Sequence, residues 1–130
     1  MSTRALTIFK DAERCYAAVY RHDSGYINDG HGHELAQFLR GYTVTNGVRN
    51  GAGPTANGAG CLAAQMVKVF KTGPGGLYLQ DSQSPALADY TYVVTAEPNR
   101  AIDIKVLSYG ALVFQGTPEE LAQFVESEED

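Results

Sequence analysis

The sequence has no tryptophan, only two cysteines, and no apolar run approaching the ~18 residues that a membrane-crossing helix needs. Each shortage removes a class of protein. Cys15 and Cys61 are too few to staple a small secreted fold, and free thiols fit a reducing cytoplasm. The start, MSTRALTIFK, lacks the apolar core of a secretory signal, so a cytoplasmic location and no membrane partner are expected. A basic surplus is also missing: 15 acidic side chains face 10 basic ones, for a net charge of −5. That balance argues against direct binding of nucleic-acid phosphates. With 44% apolar and 19% charged residues, the composition is globular rather than disordered. The 130 residues suit one domain, 1–130, because two separate cores would each be marginal.

The charge is unevenly distributed. Six of the acids and none of the bases fall in residues 117–130, so the body up to residue 116 holds nine acids against ten bases. The acidity belongs to the C-terminal segment, which leaves Arg4, Arg14, Arg21 and Arg49 available to an anionic ligand.

Periodicity predicts strands over Thr3–Lys10 and Arg14–His22, joined by a break short enough for a hairpin. In the second strand, Cys15, Ala17, Val19 and Arg21 should share one face, opposite Tyr16, Ala18, Tyr20 and His22. The glycine-rich run over residues 23–33 reads as a loop. Leu35, Phe38 and Leu39 then mark a short helix that Gly41 ends. Residues 42–60 are irregular. Thr43 and Val44 could form a short strand, and Asn46-Gly47 and Asn50-Gly51 signal turns. A second helix should start near Gly58–Gly60 and run through Lys71, burying Leu62, Met66, Val69 and Phe70.

Strands follow over Leu77–Gln80, Tyr90–Ala96, Ala101–Tyr109 and Ala111–Gln115. The last helix carries an N-cap at Thr117, a first-position Pro118, and Glu120 completing a capping box. The order β-β-α-α-β-β-β-β-α predicts an α+β fold: a mostly antiparallel sheet with two or three helices packed on one face.

Two loop-to-helix junctions stand out. In the first, His22, His31 and His33 fall within twelve residues, with Arg21, Asp23, Tyr26, Asp29 and Glu34 beside them. Imidazoles titrate near neutral pH and ligate metals. The His-x-His spacing, however, aims the two rings apart, so the reading without a metal ion or other cofactor is preferred. An intermediate reading makes this loop a polar binding surface, with Arg21 and a histidine facing an anion. In the second junction, Asn57, Gly58 and Gly60 lead into a helix whose free N–H groups suit a phosphate or carboxylate. No Lys-Ser/Thr follows the glycines, so this is not a P-loop. Cys61 sits in the first turn, where the dipole lowers a thiol pKa, but small buried filler is its commoner role. Tyr90 and Tyr92, with Tyr78, could form a stacking platform, or simply pack under a helix.

The segments TRALTIF, YRH-x-x-GY, GHG-x-ELA-x-FL, NG-x-GCLAAQ and QGTPEEL together resemble a small family found in phages and prophages. The resemblance spans most of the chain and implies a phage accessory protein in the bacterial host's cytoplasm; it implies no chemistry. The leading expectation is a non-enzymatic binder that counters host defence by holding a small anionic ligand such as a signalling nucleotide. Its candidate ligand-binding residues are Arg21, His22, Tyr26, His31, His33, Asn57, Gly58 and Gly60, with none assigned to catalysis or to a metal. The alternative is a protein-binding inhibitor of a host defence effector, of the anti-CRISPR type. There the acidic end, from Glu119 to Asp130, would imitate nucleic acid. A third reading is a small histidine-dependent hydrolase or metalloenzyme. A homo-oligomer is expected if subunits share the site.

Overall fold

Asp11 organises the first turn of the fold. Its Oδ1 accepts the N–H groups of Glu13 (2.8 Å) and Arg14 (3.0 Å), and its Oδ2 accepts the Tyr16 hydroxyl (2.7 Å). This turn joins β1 (Ala5–Lys10) to β2 (Cys15–Arg21) as the expected antiparallel hairpin. A computed structural model describes residues 3–47, 53–81, 83 and 88–127. Arg49, the Asn50-Gly51 turn signal and the acidic residues Glu128–Asp130 lie outside the described residues.

The chain continues through α1 (His31–Leu39), β3 (Thr43–Thr45), β4 (Thr55–Asn57), α2 (Gly58–Phe70), β5 (Leu77–Gln80), β6 (Tyr90–Thr95), β7 (Asp103–Ser108), β8 (Ala111–Gly116) and α3 (Pro118–Ser127). Six strands form one sheet in the order β5-β2-β1-β6-β7-β8. Every pairing in it is antiparallel except β1 with β6. The fold is α+β, as the element order predicts.

Cross-strand partners share a face of a sheet. The register sets Thr7 beside Val19 and Tyr92, Phe9 beside Val94, and Val106 beside Tyr92. These side chains are buried, and with Leu35, Leu62, Met66 and Leu121 from the helices they form the core. The helices therefore cover one face. The other face carries Tyr20, Tyr78 and Lys105, with Tyr78 exposed.

Local chemistry explains the helix limits. Thr117 and Glu120 make the reciprocal capping box: the Thr117 N–H donates to Glu120 Oε1 (2.8 Å), and the Glu120 N–H to Thr117 Oγ1 (3.2 Å). Gly41, at φ +77°, follows α1 in the left-handed conformation that ends it.

Three local expectations are corrected. Residues 23–33 are not loop throughout, because α1 already starts at His31. The irregular stretch contains a second, two-stranded parallel sheet, β3 with β4. The hairpin register shifts at Phe9/Lys10, so Cys15 pairs with Lys10 and Tyr16 is the extra residue. Tyr16 lies on the helix side, its ring 3.5 Å from where a Cβ on Gly60 would sit.

Candidate ligand-binding cleft

His31 begins α1, yet it is fully buried. The glycines on either side explain how. A Cβ on Gly30 would collide with the Ser24 carbonyl, and one on Gly32 would come within 2.7 Å of the Ile27 Cα. Only glycine lets the helix start press this closely on the preceding loop. The loop in turn takes the helix's first two free donors: the His31 N–H bonds Ser24 O (2.8 Å) and the Gly32 N–H bonds Tyr26 O (3.0 Å). At the helix N-terminus expected to take an anion, carbonyls of the chain itself hold the first two donors.

The ring of His31 packs edge-on against Tyr92 (4.9 Å between centroids) and Phe70 (5.6 Å). Its Nε2 lies 2.6 Å from Thr7 Oγ1, and its Nδ1 lies 3.3 Å from an Arg21 guanidinium nitrogen. A guanidinium only donates, so Nδ1 must accept and Nε2–H must donate to Thr7. This is a neutral imidazole in one tautomer. Burial, reinforced by the Arg21 charge, lowers its pKa to about 3. The assignment of His31 as a ligand-contacting residue is thus corrected: both ring nitrogens are engaged inside the protein.

Tyr92 is buried beside it, with its hydroxyl donating to Gly25 O (2.9 Å). Burial first, and Tyr90 second, push the Tyr92 phenol up from its ordinary value. Tyr90 neighbours it at 6.5 Å, while Tyr78 pairs with Tyr20 on the opposite face of the sheet. The three tyrosines form no common platform.

Arg21 is the outward arm of the His31 assembly. Its guanidinium donates to Glu34 Oε1 (2.8 Å) and reaches Oε2 at 3.4 Å. Its side chain is 20% exposed, against 48% for Glu34, so the pair is rooted on the arginine side and open on the glutamate side. The pair stands at the polar end of a cleft of about 720 Å³. Asp23 and His33 also border that end, and Phe38, Phe70 and Leu77 line its apolar part. Phe38 and Phe70 meet edge to face at 5.8 Å. The glycine turn beside Arg21, whose cross-strand partner is Leu77, is held by Lys71, whose Nζ donates to Gly75 O (3.0 Å) and Leu77 O (2.7 Å). The cleft thus combines one guanidinium and two carboxylates with an aromatic wall.

The remaining expected site residues lie elsewhere. His22 is exposed, with its Nδ1 3.1 Å from the Tyr20 hydroxyl. Tyr26 projects to solvent, and only its carbonyl serves α1. Asn57, Gly58 and Gly60 border a separate depression of about 290 Å³ at the other end of α2. Asn57 does not cap that helix with its side chain; its Oδ1 accepts the Gly47 N–H (2.8 Å). Asp11 lines the same depression, its pKa lowered by the Tyr16 hydroxyl and then by the Arg14 and Glu13 N–H groups. A carboxylate held ionised there opposes an anion. The 13 residues of α2 place the two junctions about 20 Å apart.

Cys61 does not pair with a histidine at His31. It lies nine residues before Phe70 on α2, roughly 14 Å along the axis from the ring that touches His31. Gln65 Nε2 points at its sulfur (3.5 Å). Among the described residues no three His, Cys, Asp or Glu side chains gather as a metal site.

Thr7, Phe38, Phe70 and Leu77 are the contributors that sequence reading missed. Thr7 carried a signal, being a polar residue between Ala5 and Phe9 on a buried strand face. The chain matches no protein-family model, no curated protein and no solved structure, so the site rests on its own geometry.

Proposed function

We propose that this protein is a non-enzymatic binder that holds a small ligand in the Arg21 cleft, with an anionic group of the ligand taking the guanidinium. The observation that carries this reading is the asymmetry of the Arg21–Glu34 pair. The arginine is fixed from beneath by a neutral, buried histidine, whereas its glutamate partner is half in solvent and free to exchange. A planar fork with an exchangeable partner beside apolar rings suits a compound bearing a carboxylate or phosphate. The histidine best placed for acid–base work is removed from it by burial, which favours binding over catalysis.

The phage-family resemblance supplies the setting: an accessory protein that depletes a small molecule on which host defence depends, a signalling nucleotide among the first to test. The protein-mimicry reading receives less support. Glu119 accepts the Gly41 N–H at 3.3 Å and Glu120 completes its own helix cap, so both acids have internal partners. Thermal melting against a panel of nucleotides and small carboxylates at millimolar concentration tests the proposal. A ligand present at about 100 times its Kd should add about 2.7 kcal/mol of stability, and Arg21→Gln should abolish the gain. Failure of every anion to raise the Tm would overturn it.

A further inference from the structure

We infer that the ligand of this cleft is a zwitterion of the α-amino-acid kind, carrying a large apolar or aromatic side chain; this rests on the cleft reading above and narrows it. The charge inventory is the reason. One guanidinium lines the cleft together with two carboxylates: Glu34, in contact with it at 2.8 Å, and Asp23, whose Oδ1 accepts the Ser24 N–H (2.8 Å) and whose other oxygen remains for a ligand. The nearby Lys71 ammonium is committed to the Gly75 and Leu77 carbonyls. A simple anion that took Arg21 would turn Glu34 out of its pair and leave two carboxylates beside the bound charge. A simple cation that took Glu34 would leave Arg21 unpaired beside a second positive group. The first exchange sets two carboxylates against the bound anion, and the second strands the largely buried guanidinium, the costlier of the two.

A contact ion pair is complementary to another contact ion pair. An α-amino acid carries its carboxylate and ammonium on one carbon, so the carboxylate can take the Arg21 fork while the ammonium donates to Glu34 and Asp23. Both members of the protein's pair then exchange partners and neither loses one. The third substituent on that carbon is left facing Phe38, Phe70 and Leu77, which line the remainder of the cleft. The 5.8 Å edge-to-face pair of Phe38 and Phe70 gives an aromatic side chain a preformed wall. The pinned glycine turn stands beside Arg21, where the His22 N–H donates to Gly76 O (2.9 Å) and Leu77 is the cross-strand partner of Arg21, so apolar surface begins next to the guanidinium.

Isothermal titration of the full chain with five probes tests this: L-phenylalanine, 3-phenylpropionate, phenethylamine, glycine and adenosine 5′-monophosphate. Phenylalanine should bind. Removing its ammonium, its carboxylate or its ring should each weaken binding about tenfold or more, as expected for a lost charged hydrogen bond or a lost aromatic contact. Glu34→Gln adds a second readout, since a half-exposed surface residue leaves the core intact. The variant should weaken phenylalanine about tenfold yet leave 3-phenylpropionate unchanged or tighter, because the carboxylate that competes for Arg21 is gone. A merely structural effect would move both probes the same way, and that result overturns the inference. Arg21-dependent binding of adenosine monophosphate or phenylpropionate, with phenylalanine no better, keeps the anion reading and overturns the zwitterion. Silence from all five probes overturns the zwitterion while leaving other anions to test the broader reading.

Discussion

At the start of α1 the chain folds back on itself: the carbonyls of Ser24 and Tyr26 take the first N–H groups, and His31 turns inward to Thr7 and Arg21. At the start of α2 no side chain caps the helix, and Asn57 turns away to hold Gly47 instead. Both starts are glycine-rich in sequence, GHGH in one and NGAG in the other. The glycines serve different ends. Gly30 and Gly32 permit close approach to backbone, whereas Gly58 supplies a left-handed φ of +81° in open space. Glycine content alone therefore marks neither helix start as an anion site. What matters is whether the neighbouring chain has already used the donors.

Substitutions at the two junctions should separate these uses of glycine. Gly32→Ala should have the largest effect, about 3 kcal/mol or worse by denaturant unfolding, because a Cβ there meets Ile27 backbone that cannot yield. Tolerance of alanine would mean that α1 is not seated as closely as described. Thr7→Val should cost about 1–3 kcal/mol by stranding the His31 Nε2–H; a neutral result would mean that this hydrogen bond does not hold the ring.

The buried histidine also makes stability depend on pH. Its pKa is 6.5 when the chain is unfolded and about 3 when folded, so between those values the unfolded chain binds a proton that the folded protein refuses. Stability is complete above the upper value and is lost as pH falls, at up to ~1.4 kcal/mol per unit. Thermal melts from pH 7 down to about 4.5, above most carboxylate titration, should show this slope in the native protein and a flatter one in His31→Gln. Equal slopes would place the pH dependence elsewhere.

The smallest pair of effects should have opposite signs. Gly58→Ala should cost about 1 kcal/mol through its positive φ. Gly60→Ala meets only the Tyr16 ring, at 3.5 Å, and should gain up to ~1 kcal/mol from helix propensity. Melting temperatures of the two variants check the ordering.

Elements whose signal is local were legible in the sequence. Thr117, Pro118 and Glu120 announce α3 within four residues, and the alternation of Ile104 and Val106 with Lys105 announces β7. The β3–β4 pair was not, because two three-residue strands meet in parallel without any periodic pattern. Nor was the extra residue at Tyr16, which depends on how β2 fits against β1 rather than on either strand alone. The cleft was half legible. Arg21, His33 and Glu34 announce a polar site, but its wall comes from other elements: Phe70, which reads as core from its helical periodicity, and Leu77, which reads only as the start of a strand. His31 misled because an exposed and a buried histidine look alike in sequence. Its burial depends on Thr7, Phe70 and Tyr92, which lie far away along the chain on other elements.

Within the six-stranded sheet the one parallel pairing, β1 with β6, divides it into an earlier half, β5-β2-β1, and a later meander, β6-β7-β8. Their strand hydrogen bonds meet at this seam, with Ala5 opposite Tyr90. During synthesis, β1 therefore waits with one bare edge until most of the protein has left the ribosome. His31 waits too, since the Tyr92 ring that covers it belongs to the later strand. The order of translation thus makes the early half an aggregation hazard until the seam closes, and that places a premium on the speed of the last assembly step.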